Sequence, residues 1–166
     1  IVYRDQKRKE KNKKFFIEIS FWRFFPLTLF FIFLLGLPII NEIFNSNLLN
    51  LANSFYKVGS MVFGGGHVVL PLLKEEFVAS GMIENDLFLA GYGASQAIPG
   101  PLFTFSSYLG IFLKSEINTL LTGVFCLFFI FLPSFLLLIG TLSLWNELRK
   151  FDLITNAFKG INDSVI

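Results

Sequence analysis

Charge is scarce in this sequence, and so are the side chains that usually hold metals or form covalent intermediates. Only 16% of the 166 residues are Asp, Glu, Lys or Arg, against about a quarter in a soluble globular domain. The single cysteine, Cys126, cannot form an internal disulfide, which excludes a disulfide scaffold. The single histidine, His67, has no cysteine or carboxylate at metal-ligand spacing. No Ser–His, Cys–His or P-loop pattern occurs. Neither a metal nor a cofactor is expected. What the sequence does have is apolar surface. Hydrophobic residues make up 54% of it, including 23 phenylalanines, more than a soluble fold of this length can hide. Disorder and an ordinary soluble enzyme are therefore excluded. The composition predicts an all-α, polytopic helical membrane protein. Six prolines and thirteen glycines argue against simple straight spans and for discontinuous, broken helices.

The charge that is present is unevenly placed. Residues 1–23 hold eight Lys/Arg and three Asp/Glu, whereas Lys74, Glu75, Glu76, Glu84 and Asp86 give a net of −3 over 74–86. The run RDQKRKEKNKK (4–14) stands just before an apolar stretch, and the positive-inside rule assigns it to the cytoplasm. Residues 1–20 are read as a basic cytoplasmic linker and residues 21–166 as a membrane domain. A basic run also suits nucleic acid, but no folded basic domain accompanies this one, so nucleic acid is not an expected partner. The lipid bilayer is.

Four apolar regions follow. Phe24–Ile40 is uncharged and at the lower limit for a span. The asparagine-rich 41–53 suggests a short exit loop. Region 48–73 contains Lys57, His67 and the triplet Gly64-Gly65-Gly66, which makes one continuous helix improbable. Two half-helices, 48–63 and 67–79, are expected to meet there. Region 87–113 has no ionisable Asp, Glu, Lys, Arg or His and is cut by Pro99-Gly100-Pro101. Region 117–146 is rich in Phe and Leu and divided by Pro133, which allows one long kinked helix or two shorter ones, and Phe125–Phe135 reads as lipid-facing. The stretch 157–166 turns apolar again, as though another helix were starting, so the domain reads as truncated at its C-terminus.

The two interruptions carry the chemistry. Irregular backbone at membrane depth is tolerated only where it packs in protein or lines a polar cavity. Half-helix N-termini expose free N–H groups and the positive end of the helix dipole, which favours an anion. Gly64, Gly65, Gly66 and Gly100 are thus candidate backbone donors, with Pro99 and Pro101 shaping the second break. Thr104, Ser106 and Ser107 can add hydroxyls. Lys57 is a lysine inside an apolar segment and a functional candidate for that reason. His67 can donate to an anion or carry a proton. Gln96 is polar in an otherwise apolar run and shares a helix face with Tyr92. Glu75 or Glu76 can serve as a proton-coupling group, although a solvated loop also explains them. The glycines and prolines equally suit kinks in tightly packed helices.

FYKVGSMVFGGGHVVLPLLKEEFV (55–78), followed by FLAGYGASQAIPGPLFTFSSYLG (88–110), resembles the chromate transporter family. The likeness is strongest over 55–110 and looser to 166. It implies a transporter of the bacterial inner membrane that moves chromate, and sulfate as a second oxyanion, and no enzymatic activity. Family members are built from two homologous halves. The chain therefore resembles the linker and most of the second half, completed by the missing half or by a second copy in a dimer. Met82-Ile83 and Asp163-Ser164 depart from the family pattern outside its two core motifs. A rival reading is a membrane-embedded enzyme using His67 as general base on a lipid-linked substrate. A third is a structural membrane subunit.

Overall fold

The computed structural model describes residues 24–62, 66–98 and 100–148, with backbone alone for 66, 67 and 143–148. The expected basic linker and the apolar start at 157–166 lie outside the described residues. Regular structure among the described residues is entirely helical. Helix α1 (Phe24–Phe44) is followed by α2 (Asn47–Met61), α3 (Gly66–Phe77), α4 (Asn85–Gln96), a short 3₁₀ turn η1 (Leu102–Thr104), α5 (Phe105–Phe112) and α6 (Thr119–Leu148). Helix α1 and the 119–142 part of α6 are long and apolar enough to cross a bilayer. The expected loop in 41–53 is reduced to Asn45 and Ser46. Asn45 takes a left-handed φ of 45° there, a conformation asparagine tolerates better than most residues.

Helical structure stops at Met61 and resumes at Gly66, then stops at Gln96 and resumes at Leu102. In both places the chain turns back on itself. The Phe55 and Phe77 rings lie 4.7 Å apart, and Ser54 and Lys57 of α2 both reach Glu76 near the far end of α3. Contacts so far from the turn require α2 and α3 to run antiparallel. In the second hairpin the Tyr108 hydroxyl donates to the Leu87 carbonyl at 3.3 Å, and the Phe88 and Phe105 rings meet edge to face at 5.0 Å. The described helices thus pair as two hairpins, α2 with α3 and α4 with η1 and α5. Helix α2 is about 22 Å long, and α3 and α4 are each about 18 Å. These lengths exceed half the thickness of a bilayer core of about 30 Å and fall short of the whole.

The feet of the hairpins share one end. A cleft of about 270 Å³ is lined by Asn47 and Leu51 of α2, Gly81 and Met82 after α3, and Phe112 at the end of α5 with Leu113 and Lys114 after it. The first turn of α2 is capped from the far side of that cleft. Ser46 precedes the helix without capping it through its own side chain. Instead the Glu116 carboxylate accepts the N–H groups of Asn47 (2.7 Å) and Leu48 (3.0 Å) and the Ser46 hydroxyl (3.2 Å). A carboxylate suits a helix N-terminus because it satisfies orphan donors and complements the dipole.

Helix α6 lines both hairpins from feet to tips. Near its start it lies against Gly110 and Ser107, which face Thr122, Gly123 and Cys126. Further along, Ile130 and Pro133 press on Gly59 of α2, and Phe131 meets Phe103 of η1 edge to face at 5.0 Å. Phe55, Leu73, Phe77, Phe88, Phe105, Leu109, Cys126 and Ile130 form the shared core. Residues 125–135 are therefore not uniformly lipid-facing, as the sequence suggested. Cys126, Ile130 and Pro133 are buried, whereas Phe128 and Phe135 point outward. The misreading has a simple cause: when both faces of a helix are apolar, hydropathy carries no period. Of the two arrangements open to this region, one long helix or two shorter ones, the structure has one helix with Pro133 inside it.

Residues 30–135 make up one compact unit, and the described residues of 24–29 and 136–148 belong to a second. In the second, the Leu27 side chain lies over Gly140, where a β-carbon would come within 2.9 Å of Leu27 Cδ2.

Candidate functional site

Among the described residues the backbone between the paired helices is non-helical at 62, 97–98 and 100–101. Phe131, which touches η1, lies about 18 Å along α6 from Thr119. The apolar part of α6, Thr119–Leu142, is about 36 Å long at the same rise. The second tip thus stands near the middle of that apolar length. The 3₁₀ turn η1 packs against α3, whose first residue is Gly66, the last of the three glycines. The second tip therefore lies beside the helix that leaves the first.

Gly64, Gly65 and Pro99 lie outside the described residues, as does the His67 side chain. The backbone of Gly66 and His67 forms the first turn of α3, where amide N–H groups lack partners within the helix. Pro101 immediately precedes η1. Gly100 is exposed, and a β-carbon on it would meet nothing within 4 Å. Its backbone is not in the left-handed region either.

The hydroxyls of this region are turned inward. Thr104 donates to the Pro101 carbonyl at 3.1 Å, and the wholly buried Ser106 donates to the Phe103 carbonyl at 2.6 Å. Both bonds tighten the turn after Pro101. Gln96 is exposed at the end of α4, one turn from Tyr92, whose ring packs on Phe105. The two share a helix, but Tyr92 belongs to the core.

Lys57 has a partner that the sequence did not assign. Its ammonium lies 3.0 Å from Glu76 Oε2, and the buried Ser54 hydroxyl donates to Glu76 Oε1 at 2.8 Å. Glu76 is mostly enclosed, with 22% of its side chain exposed, while Lys57 remains 54% exposed. The lysine is thus neutralised on one side and open on the other. Ser54 is the residue that sequence reasoning missed, and Glu76, read there only as a coupling group, was not placed beside Lys57. The signal was available only in combination: if the triple glycine marks a hairpin rather than a kink, Lys57 and Glu76 fall on facing helices. Glu75, the other candidate, is exposed. Among the described residues no cluster of His, Cys, Asp and Glu could hold a metal ion.

The family model described as chromate transporter matches residues 49–166. An uncharacterized transporter of Methanocaldococcus jannaschii, MJ0718, is 24% identical over 140 residues, covering 84% of this chain and 33% of that protein. A chromate transport protein of Pseudomonas aeruginosa is 29% identical over 79 residues, covering 48% of this chain and 18% of that one. The chain spans a third or less of the length of these relatives. No solved structure matches it. The matched segment contains both hairpins, both interruptions and α6, and its relatives are transporters, not enzymes, so the reading of His67 as a catalytic base gives way: the chain belongs to the chromate transporter family.

Proposed function

We propose that this chain supplies half of an oxyanion-transport pathway in the plasma (inner) membrane, with chromate, and sulfate as its close analogue, as the solute. The basic N-terminal segment faces the cytoplasm, where the positive-inside rule puts it. One observation carries the reading: the 3₁₀ turn that follows Pro101 packs against α3, the helix that follows the triple glycine, and its Phe103 meets Phe131 of α6. Backbone N–H groups at 64–67 and after Pro101 act as donors to the anion. Lys57 and His67 add positive charge, with Gln96 and Thr104 at the rim. A dianion is expensive to desolvate, and several charge-assisted hydrogen bonds must act together to offset that cost.

The tips furnish half of a site. The other half comes from a homologous half of the same protein or from a second copy, and rocking of the halves gives alternating access. Gly100, open on its outer side, is where that approach occurs.

Chromate efflux by the full-length protein tests the assignment. Gly65→Leu and Pro101→Ala are expected to cut transport at least tenfold at normal expression, since one blocks the backbone's approach and the other releases the turn. Transport unchanged in both variants would remove the tips from the pathway.

A further inference from the structure

The pairing of Lys57 with Glu76 goes beyond an electrostatic contact. The reading of Lys57 as an anion-binding residue is taken as the starting point here. We propose that Glu76 is a resident counter-anion: it holds Lys57 between substrates, yields it to the incoming oxyanion, and takes up a proton as it lets go. Anion binding is thereby linked to proton uptake through one named carboxyl group.

The geometry supports each part of that exchange. Both Glu76 oxygens are occupied, Oε1 by Ser54 and Oε2 by Lys57, so the carboxylate is held as an ordered substitute for an oxyanion. An ammonium has three donors, and Glu76 accepts one of them. The exposed side of Lys57 is where a solute can take over the others. Lys57 lies about 15 Å along α2 from Asn47, well into the hairpin. A bare lysine there would be costly, and the resident carboxylate keeps the empty state neutral.

Once the oxyanion takes the lysine, Glu76 is a largely enclosed carboxylate without its cation. Little solvent reaches it to replace the lost partner. A proton from water removes it: the carboxylate plus one proton becomes a carboxylic acid, with no other bond made or broken. The acid keeps a hydrogen bond with the Ser54 hydroxyl, which can donate or accept. Lys57 is the charged group that faces Glu76 from α2. On α3 itself Lys74 and Glu75 are exposed, His67 stands at the opposite end, and η1 brings no ionisable side chain. Tyr92 of α4 and Tyr108 of α5 flank the same core.

The experiment is sulfate titration of the full-length protein by calorimetry at pH 7, in two buffers of different ionisation enthalpy. Sulfate is the probe because it carries no titrating proton near neutrality. The wild type is expected to take up protons on binding. Glu76→Gln is expected to take up none and to bind sulfate about three- to fivefold tighter, the range a half-exposed ion pair supports. Sulfate binding with no proton uptake in the wild type would overturn the exchange while leaving the oxyanion site standing. Uptake that persists in Glu76→Gln would transfer the role to another group, His67 first, and equally overturn it. No sulfate binding by the wild type would remove the oxyanion site and this exchange together. The wild-type proton count decides the matter even if the variant fails to fold.

Discussion

Gly59 of α2 faces the backbone carbonyl of Ile130 on α6 with no room for a side chain between them. A β-carbon at Gly59 would overlap that carbonyl oxygen and stand only 3.0 Å from Pro133 Cγ. The contact joins the first hairpin to α6 close to the tips, where the proposed anion path runs. Both neighbours are poor at giving way, one being helical backbone and the other a proline ring.

Gly59→Ala is therefore expected to destabilise the protein by about 1–3 kcal/mol, as overpacking of a filled core does. Thermal unfolding in detergent measures it. Gly93→Ala is the control, since nothing lies within 4 Å of the position a β-carbon would take there. It should change stability by less than about 0.5 kcal/mol. Equal losses in the two variants would mean that α2 and α6 do not meet at this point.

Acid should loosen the feet of the hairpins through Glu116. Partial desolvation works against its charged form. The N–H groups of Asn47 and Leu48, with the Ser46 hydroxyl, prevail and hold the carboxyl below the usual carboxylate range. A depressed folded-state pKa gives stability that is fully present above the ordinary carboxylate pKa and is lost as pH falls through the lowered value. The wild type should thus melt above Glu116→Gln at neutral pH, and the two melting curves should converge in acid below the usual carboxylate range. A gap that stays constant across that range would show that Glu116 does not act through its charge.

The hairpins also fix a sidedness. Glu42 near the end of α1, Glu84 before α4 and Lys114 after α5 are all exposed at the feet. Single cysteines replacing them are expected to react with a membrane-impermeant maleimide from one and the same face of the membrane. Wild-type Cys126, buried against Gly110, should react only after denaturation. A cysteine at position 84 labelled from the face opposite to position 42 would show that residues 47–77 cross the membrane rather than turn back.

Much of this could be read along the chain, because the helix boundaries depend on local chemistry. A triple glycine and a Pro-Gly-Pro segment disfavour helix for reasons contained in those residues, and the apolar lengths follow from counting. What could not be read is who faces whom. Half-helices of the same length can continue across a membrane or fold back, and no local property of Gly64–Gly66 decides between them. The partner of Lys57 was hidden for that reason, since Glu76 becomes its neighbour only after the chain reverses. Ser54 gave no signal at all. In α6 the obstacle was different: Cys126 and Ile130 differ little in hydropathy from Val124 and Phe128, so the buried stripe left no trace in the pattern. Small residues in contact, Gly110 with Gly123 above all, mark that stripe better than hydrophobicity does.

The capping of α2 by Glu116 has a consequence for the order in which the protein is made. The carboxylate and the amide of Asn47 it receives are 69 positions apart. As the chain grows from its N-terminus, the first hairpin is synthesised, then the second, before the group that closes the opening turn of α2 exists. Until then those amides must find water or headgroups at the membrane surface. The clasp comes last, so a nascent chain stopped before residue 116 holds both hairpins with the base of the first still open.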